Sequence, residues 1–165
     1  MTTPLPLEAT DELVCAQWIA TIPGFTPAMV GTTLPPDVNA DGSLAAWVAT
    51  GFVTVTIVGG NPDPLLPVNW PVLQVDCWAT VPGSNKPPWH QAAALAGAIR
   101  RATWDRRAIS RPLQITANGV AYPAAAVRSA YLTSAFRRLY DDQGDYAHYQ
   151  ADLSLSWVTV NDRLY

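Results

Sequence analysis

The stretch VLQVDCWATVPGSNKPPWHQAAALAGAIRRATWDRR, Val72 to Arg107, decides the fold class. Its first part alternates, with Leu73, Val75, Cys77 and Ala79 on one side and Val72, Gln74, Asp76, Trp78 and Thr80 on the other. That is the period of a β-strand. Pro82-Gly83 then marks a turn, Ser84 and Asn85 are candidate helix caps, and Pro87 or Pro88 suits a first helical turn. From Trp89 the pattern changes to an Ala-rich helix reaching about Arg107. Ala92, Leu95, Ala96, Ile99 and Thr103 fall on one face at three- and four-residue spacing.

Working outward, GFVTVTIV predicts a second strand over about 51–58, with Val53, Val55 and Ile57 on one face. A turn-rich connection, GGNPDPLLPVNWP, leads from it into the Val72 strand, which fits an antiparallel hairpin with a long loop. An N-terminal helix is expected over about 8–22, capped by Thr10 or Asp11 and ended by Pro23-Gly24. Leu13, Ala16 and Ala20 share one of its faces, Val14 and Trp18 a neighbouring one. Between these elements lies a loop-rich stretch in which only Met29 to Leu34 has strand character.

Beyond the central helix, 113–117 reads as a short strand. Asn118-Gly119 is a two-residue hairpin signal returning through Val120 to Tyr122. The run from Ala124 to Arg138 is ambiguous, because its alanines favour helix while its alternation permits strand. The closing segment YAHYQADLSLSWVTV settles the choice. Ala147, Tyr149, Ala151, Leu153, Leu155 and Trp157 alternate with His148, Gln150, Asp152, Ser154 and Ser156, giving a strand over about 146–160 with one polar face. Such a strand needs an antiparallel neighbour, and 126–138 is the nearest candidate. The expected architecture is α+β: one domain over 1–165, with a mainly antiparallel or mixed sheet packed against an N-terminal and a central helix.

Composition narrows the class further. A chain of 165 residues, 49% apolar, is long enough for one real core. It has no apolar run long enough for a membrane span, and its opening MTTPLPLEATDELV lacks the pattern of a signal peptide. Cys15 and Cys77 lack metal-site spacing, and their places in a helix and a strand favour buried free thiols over a disulfide. Up to Asn85 there are seven acids and no Lys or Arg, a balance of −7. The remainder holds all ten cations against six acids, a balance of +4. Such polarity can steer head-to-tail association of subunits.

No reactive constellation stands out. Asp76, Cys77 and His90 offer a carboxylate, a thiol and an imidazole, but neighbouring strand residues point to opposite faces, so Asp76 and Cys77 do not converge. His90 stands at a helix start, the unfavourable end of the dipole for an imidazolium. Asp141, Asp142 and Asp145 form a fragment of a calcium loop without its closing Glu, and read better as an acidic turn. His148 has no second His at ligand spacing and reads as a solvated or interface residue. Arg100, Arg101, Arg106, Arg107 and Arg111 form a basic cluster without a nucleic-acid motif; near a helix C-terminus they complement its dipole. Seven tryptophans are many for one small domain. Trp78 and Trp104 in particular lie beside polar residues, as interface aromatics do.

VDCWA, PGSNKPPW and the following Ala/Leu/Ile/Arg helix resemble the tail terminator (tail completion) proteins of long-tailed bacteriophages, especially those of actinobacterial hosts. RRLYDDQGDYAHYQADLSLSW resembles that family's closing hairpin, and with the N-terminal helix the resemblance covers most of the chain. It implies a non-enzymatic virion protein with no cofactor and no metal, made in the host cytoplasm and placed at the head–tail junction. Its partners would be five further copies in a six-subunit ring, the major tail tube protein, the head–tail connector or stopper, and the tape measure protein's end. DNA would pass through the ring without sequence-specific binding, and no membrane is involved. The interface residues expected from position are Trp78, Lys86, Trp89, Arg100, Arg101 and Trp104, with Asp141, Asp142 and Asp145. The rival readings are a neck component on the portal side and, far behind, a small hydrolase using Cys77 or His90.

Overall fold

The computed structural model describes residues 7–140 and 145–160. Helix α1 spans Asp11–Ala20 and begins where the Thr10 hydroxyl accepts the Leu13 N–H at 3.3 Å. A single 3-10 turn (Pro27–Met29) precedes the two-residue strand β1 (Val30–Gly31). The short helix α2 (Trp47–Thr50) precedes strands β2 (Phe52–Gly60) and β3 (Pro71–Thr80). Helix α3 (Trp89–Ala102) and the one-turn α4 (Arg106–Ile109) follow. The chain closes with β4 (Pro112–Ala117), β5 (Val120–Leu132), β6 (Arg137–Leu139) and β7 (Tyr146–Thr159).

All the strands join one sheet in the order β1-β2-β3-β7-β5-β4, with β6 also on β7. β1 lies parallel to β2, and every other pairing is antiparallel. The α+β class with a mixed, mainly antiparallel sheet is therefore the observed architecture. The β2–β3 hairpin has the expected antiparallel sense, with Val53 opposite Cys77 and Thr54 opposite Asp76.

The central helix stops at Ala102, five residues short of Arg107. Thr103 bonds back to the Arg100 carbonyl, and the Asp105 carboxylate accepts the Arg107 N–H at 2.9 Å, starting a separate turn. Neither Ser84 nor Asn85 caps α3. Pro88 occupies that position without a side-chain bond, and the Ser84 hydroxyl instead accepts the Lys86 N–H. The N-terminal helix is likewise shorter than 8–22, because Thr10 caps it one residue before Asp11.

The expected strand over 126–138 is two strands. β5 begins already at Val120 and ends at Leu132, and β6 resumes at Arg137 on the same side of β7. In the gap the Ser134 hydroxyl accepts the Asp152 N–H at 2.8 Å, taking the place of a ladder carbonyl. Pro123 fits within β5 because Gln114 opposes both Pro123 and Ala124, a bulge where a missing N–H is tolerated. At the β4–β5 turn Asn118 and Gly119 both take positive φ, as the hairpin signal requires.

Both long helices pack on one face of the sheet. Val14, Cys15, Trp18 and Ile19 of α1 join Leu95, Ala96 and Ile99 of α3 in one core. That core includes Val53, Val55, Leu73, Val75, Cys77, Leu113, Val127, Leu153 and Leu155. Each large aliphatic side chain buried there contributes about 1.5–3 kcal/mol, so this face holds the fold. Gly51 lets α3 approach the sheet: its φ is +80°, and a Cβ would lie 2.6 Å from the Leu95 Cδ1.

Candidate interaction surface

The other face of the sheet is covered by neither α1 nor α3; only Trp47 of the short α2 packs at its end, against Phe52 and Tyr146. Strand alternation sends Thr54 of β2, Gln74, Asp76 and Trp78 of β3, and Tyr146, His148 and Gln150 of β7 to this side. The β3–β7 register sets Trp78 opposite His148 and Asp76 opposite Gln150. Asp76, His148 and Gln150 are nonetheless buried, because they cover one another.

Asp76 is the hub. Its Oδ1 accepts from His148 Nε2 at 2.6 Å and from Gln150 Nε2 at 3.0 Å, while Oδ2 accepts from Gln74 Nε2 at 2.8 Å. Arg137 extends the chain by donating to Gln150 Oε1 at 2.6 Å. A buried carboxylate needs this many donors to remain charged. Burial by itself would raise its pKa. The hydrogen bonds from His148, Gln74 and Gln150, with the charge of His148, outweigh that effect and hold it below the usual carboxylate range.

Above the network, Trp78 stacks on the His148 ring at 3.7 Å and 16°, and its indole N–H donates to the Thr54 hydroxyl at 3.0 Å. Tyr146 meets Trp78 edge-on and lies beside Trp47, whose indole donates to the Pro36 carbonyl. Burial and the neighbouring Asp37 raise the Tyr146 phenol's pKa.

This placement corrects the reading of His148. It is neither solvated nor an exposed contact residue, but a buried, hydrogen-bonded and stacked one. The Asp76–His148 pair was not anticipated, because its members lie 72 positions apart and meet only through the β3–β7 register. Cys77, by contrast, sits where alternation puts it. It is fully buried on the helix-covered face, and burial pushes its thiol up. Cys15 and Cys77 are both free. His90 is exposed at the start of α3.

The residues expected at interfaces are scattered over several places. Trp78 is half-buried and engaged in the network just described. Trp89 is half-buried at the start of α3, where the Arg138 guanidinium lies 3.4 Å from its ring centroid. Tyr140 and Tyr149 flank Trp89 at 5.7 and 6.0 Å, and Arg138 also lies over Tyr140 at 4.8 Å. At the far end of α3, Trp104 is 70% exposed, with Arg100 at 5.5 Å from its ring and Arg101 exposed beside it. Lys86 is exposed in the elbow. Asp145 is half-buried and its carbonyl accepts from Thr80, while Asp141 and Asp142 lie outside the described residues. Arg111 is turned inward and donates to the carbonyl and hydroxyl of Thr21, so it does not belong to an exposed basic cluster.

Among the described residues, no group of three or more His, Cys, Asp or Glu side chains is placed to hold a metal ion. No helix among them is long and apolar enough to cross a membrane.

No family model matches the sequence, and no curated protein does. Among solved structures, a chain described as "Virion of native gene transfer agent (GTA) particle" is similar at 12% identity. The match covers 90% of this chain and 86% of that one, with a TM-score of 0.46. A second solved chain, also 12% identical, matches over 92% of this chain and 96% of its own at a TM-score of 0.38.

Proposed function

We propose that this chain is a non-enzymatic virion structural protein. In this reading it forms a ring on the last tail-tube layer, ends tube growth and offers a surface to the head connector. The observation that carries the reading is the use the fold makes of its side chains. The groups with reactive potential are absorbed into structure: Cys77 is sealed in the core, and Asp76 and His148 hold each other within a polar network. The groups suited to contact are left outside and ordered, with Trp104 beside Arg100 and Arg138 between Trp89 and Tyr140. Tryptophan, tyrosine and arginine dominate the binding energy of protein interfaces, and cation–π contacts fix these side chains before a partner arrives. The sequence resemblance supplies the particular assembly.

Electron microscopy of particles made without the protein tests the assignment. Overlong tail tubes without heads are the expected result. Tails of normal length beside defective heads would refute termination and place the protein on the connector side.

A further inference from the structure

Resting on the ring reading above, we propose that neighbouring copies join through their sheet edges. The ligand for the open edge of β2 is then β4 of a second copy. β2 is nine residues long, but β1 covers only Val53 and Thr54 before the chain turns away. From Thr56 to Gly60 the outer edge has no strand beside it among the described residues, and every residue is exposed, Ile57 at 44% and Val58 at 53%. This segment, TIVGG, carries no charge and no proline, and its edge is interrupted only by the bulge at Val58 between Ile57 and Gly59. The opposite edge of the same sheet is β4, six residues long, with Gln114 and Thr116 exposed and equally uncharged.

Three features make the two edges complementary. The first is direction. Four antiparallel pairings separate β2 from β4, so the two strands run the same way within one subunit. A rotation about an axis along the strands preserves that sense, so β4 of one copy meets β2 of the next in parallel. β1 already pairs with β2 in this sense. The second is length, because the six residues of β4 are enough to span the five uncovered residues of β2. The third is charge. The strands from β1 to β3 belong to the part of the chain without Lys or Arg, and Asp11 lines the same cleft as Ile57 and Gly60. The exposed Arg106 and Arg107 stand in α4, the turn of helix that leads into β4. Head-to-tail contact between unlike edges closes into a ring if the rotation allows. Contact between two like edges would give a two-fold dimer instead.

The test uses the full chain with Thr56→Cys and Pro112→Cys, exposed positions that lie side by side when Pro112–Thr116 runs parallel to Thr56–Gly60, under mild oxidation across a concentration series. The expected result is a disulfide between chains when the two single variants are mixed, none in either alone, and a ladder of multimers from the double variant. Val58→Lys should abolish the ladder while leaving the circular dichroism spectrum unchanged, and added salt should weaken association. Self-cross-linking of either single variant would overturn the proposal. So would wild-type oligomers that neither cross-link nor respond to Val58→Lys, an outcome that leaves the ring reading standing on another interface. A chain that stays monomeric at every concentration also overturns edge pairing, and tail length in the microscopy above then judges termination separately.

Discussion

Replacing Asp76 examines whether the polar network stabilises the open face or is merely tolerated there. Its three donors approach at 2.6, 2.8 and 3.0 Å. A hydrogen bond to a charged partner contributes about 1.5–3 kcal/mol, against about 0.5–1.5 for a neutral one. In Asp76→Asn the amide oxygen can keep His148 and Gln150, but its nitrogen then faces the Gln74 amide as donor against donor. Gln74 is only half-buried and can rotate to offer its oxygen. The loss is then charge assistance at three bonds, partly offset by removing a buried charge, and about 2 kcal/mol remains. Asp76→Ala removes the acceptors altogether and strands two buried donors, at a cost of about 4 kcal/mol. At about 2–4 °C per kcal/mol for a chain of this size, the melting temperature should fall by about 6 °C and about 12 °C respectively.

The pH dependence gives a second measure. The folded protein holds the Asp76 carboxyl below its ordinary value, so the unfolded chain binds the proton more readily. The stabilisation is complete above the unfolded value of about 3.9 and is lost as pH falls toward the folded one. Thermal unfolding followed by circular dichroism should therefore show the full gap between wild type and Asp76→Asn from pH 7 to 5, narrowing below about pH 4. Equal stability of the two proteins at pH 7, or a gap independent of pH, would refute the account. So would an alanine variant more stable than the asparagine one.

Other perturbations separate fold from contact. Gly60→Ala should be severely destabilising or prevent soluble expression, because φ is +123° and the added Cβ would lie 2.4 Å from the Trp70 carbonyl oxygen; denaturant titration measures the loss. Cys77→Ser places a hydroxyl in the core and should cost about 1–3 kcal/mol in urea unfolding, yet leave assembly intact; loss of function with normal assembly would revive a thiol chemistry. Trp104→Ala should change stability by less than about 0.5 kcal/mol, since exposed side chains away from special features rarely matter to folding. The same change should reduce incorporation into particles, scored by immunoblot of purified virions.

Much of this protein is written in short-range pattern. Alternation in Val72–Thr80 and in the closing strand, the three- and four-residue stripe of α3, and Asn118-Gly119 each express a local preference. Local preferences survive folding where burial agrees with them, so the class, the helix-facing residues and the burial of Cys77 follow from the chain alone. Alternation was also sufficient to separate Asp76 from Cys77. What the pattern does not contain is register. Whether Trp78 faces His148, seventy positions away, or falls beside it depends on a one-residue choice of register, and that choice is made by the core on the opposite face. Hence the buried Asp76–His148–Gln150 network, the inward turn of Arg111 and the interruption between β5 and β6 belong to the tertiary structure. The uncovered edge of β2 does too, since an edge is defined only by the strands that fail to arrive.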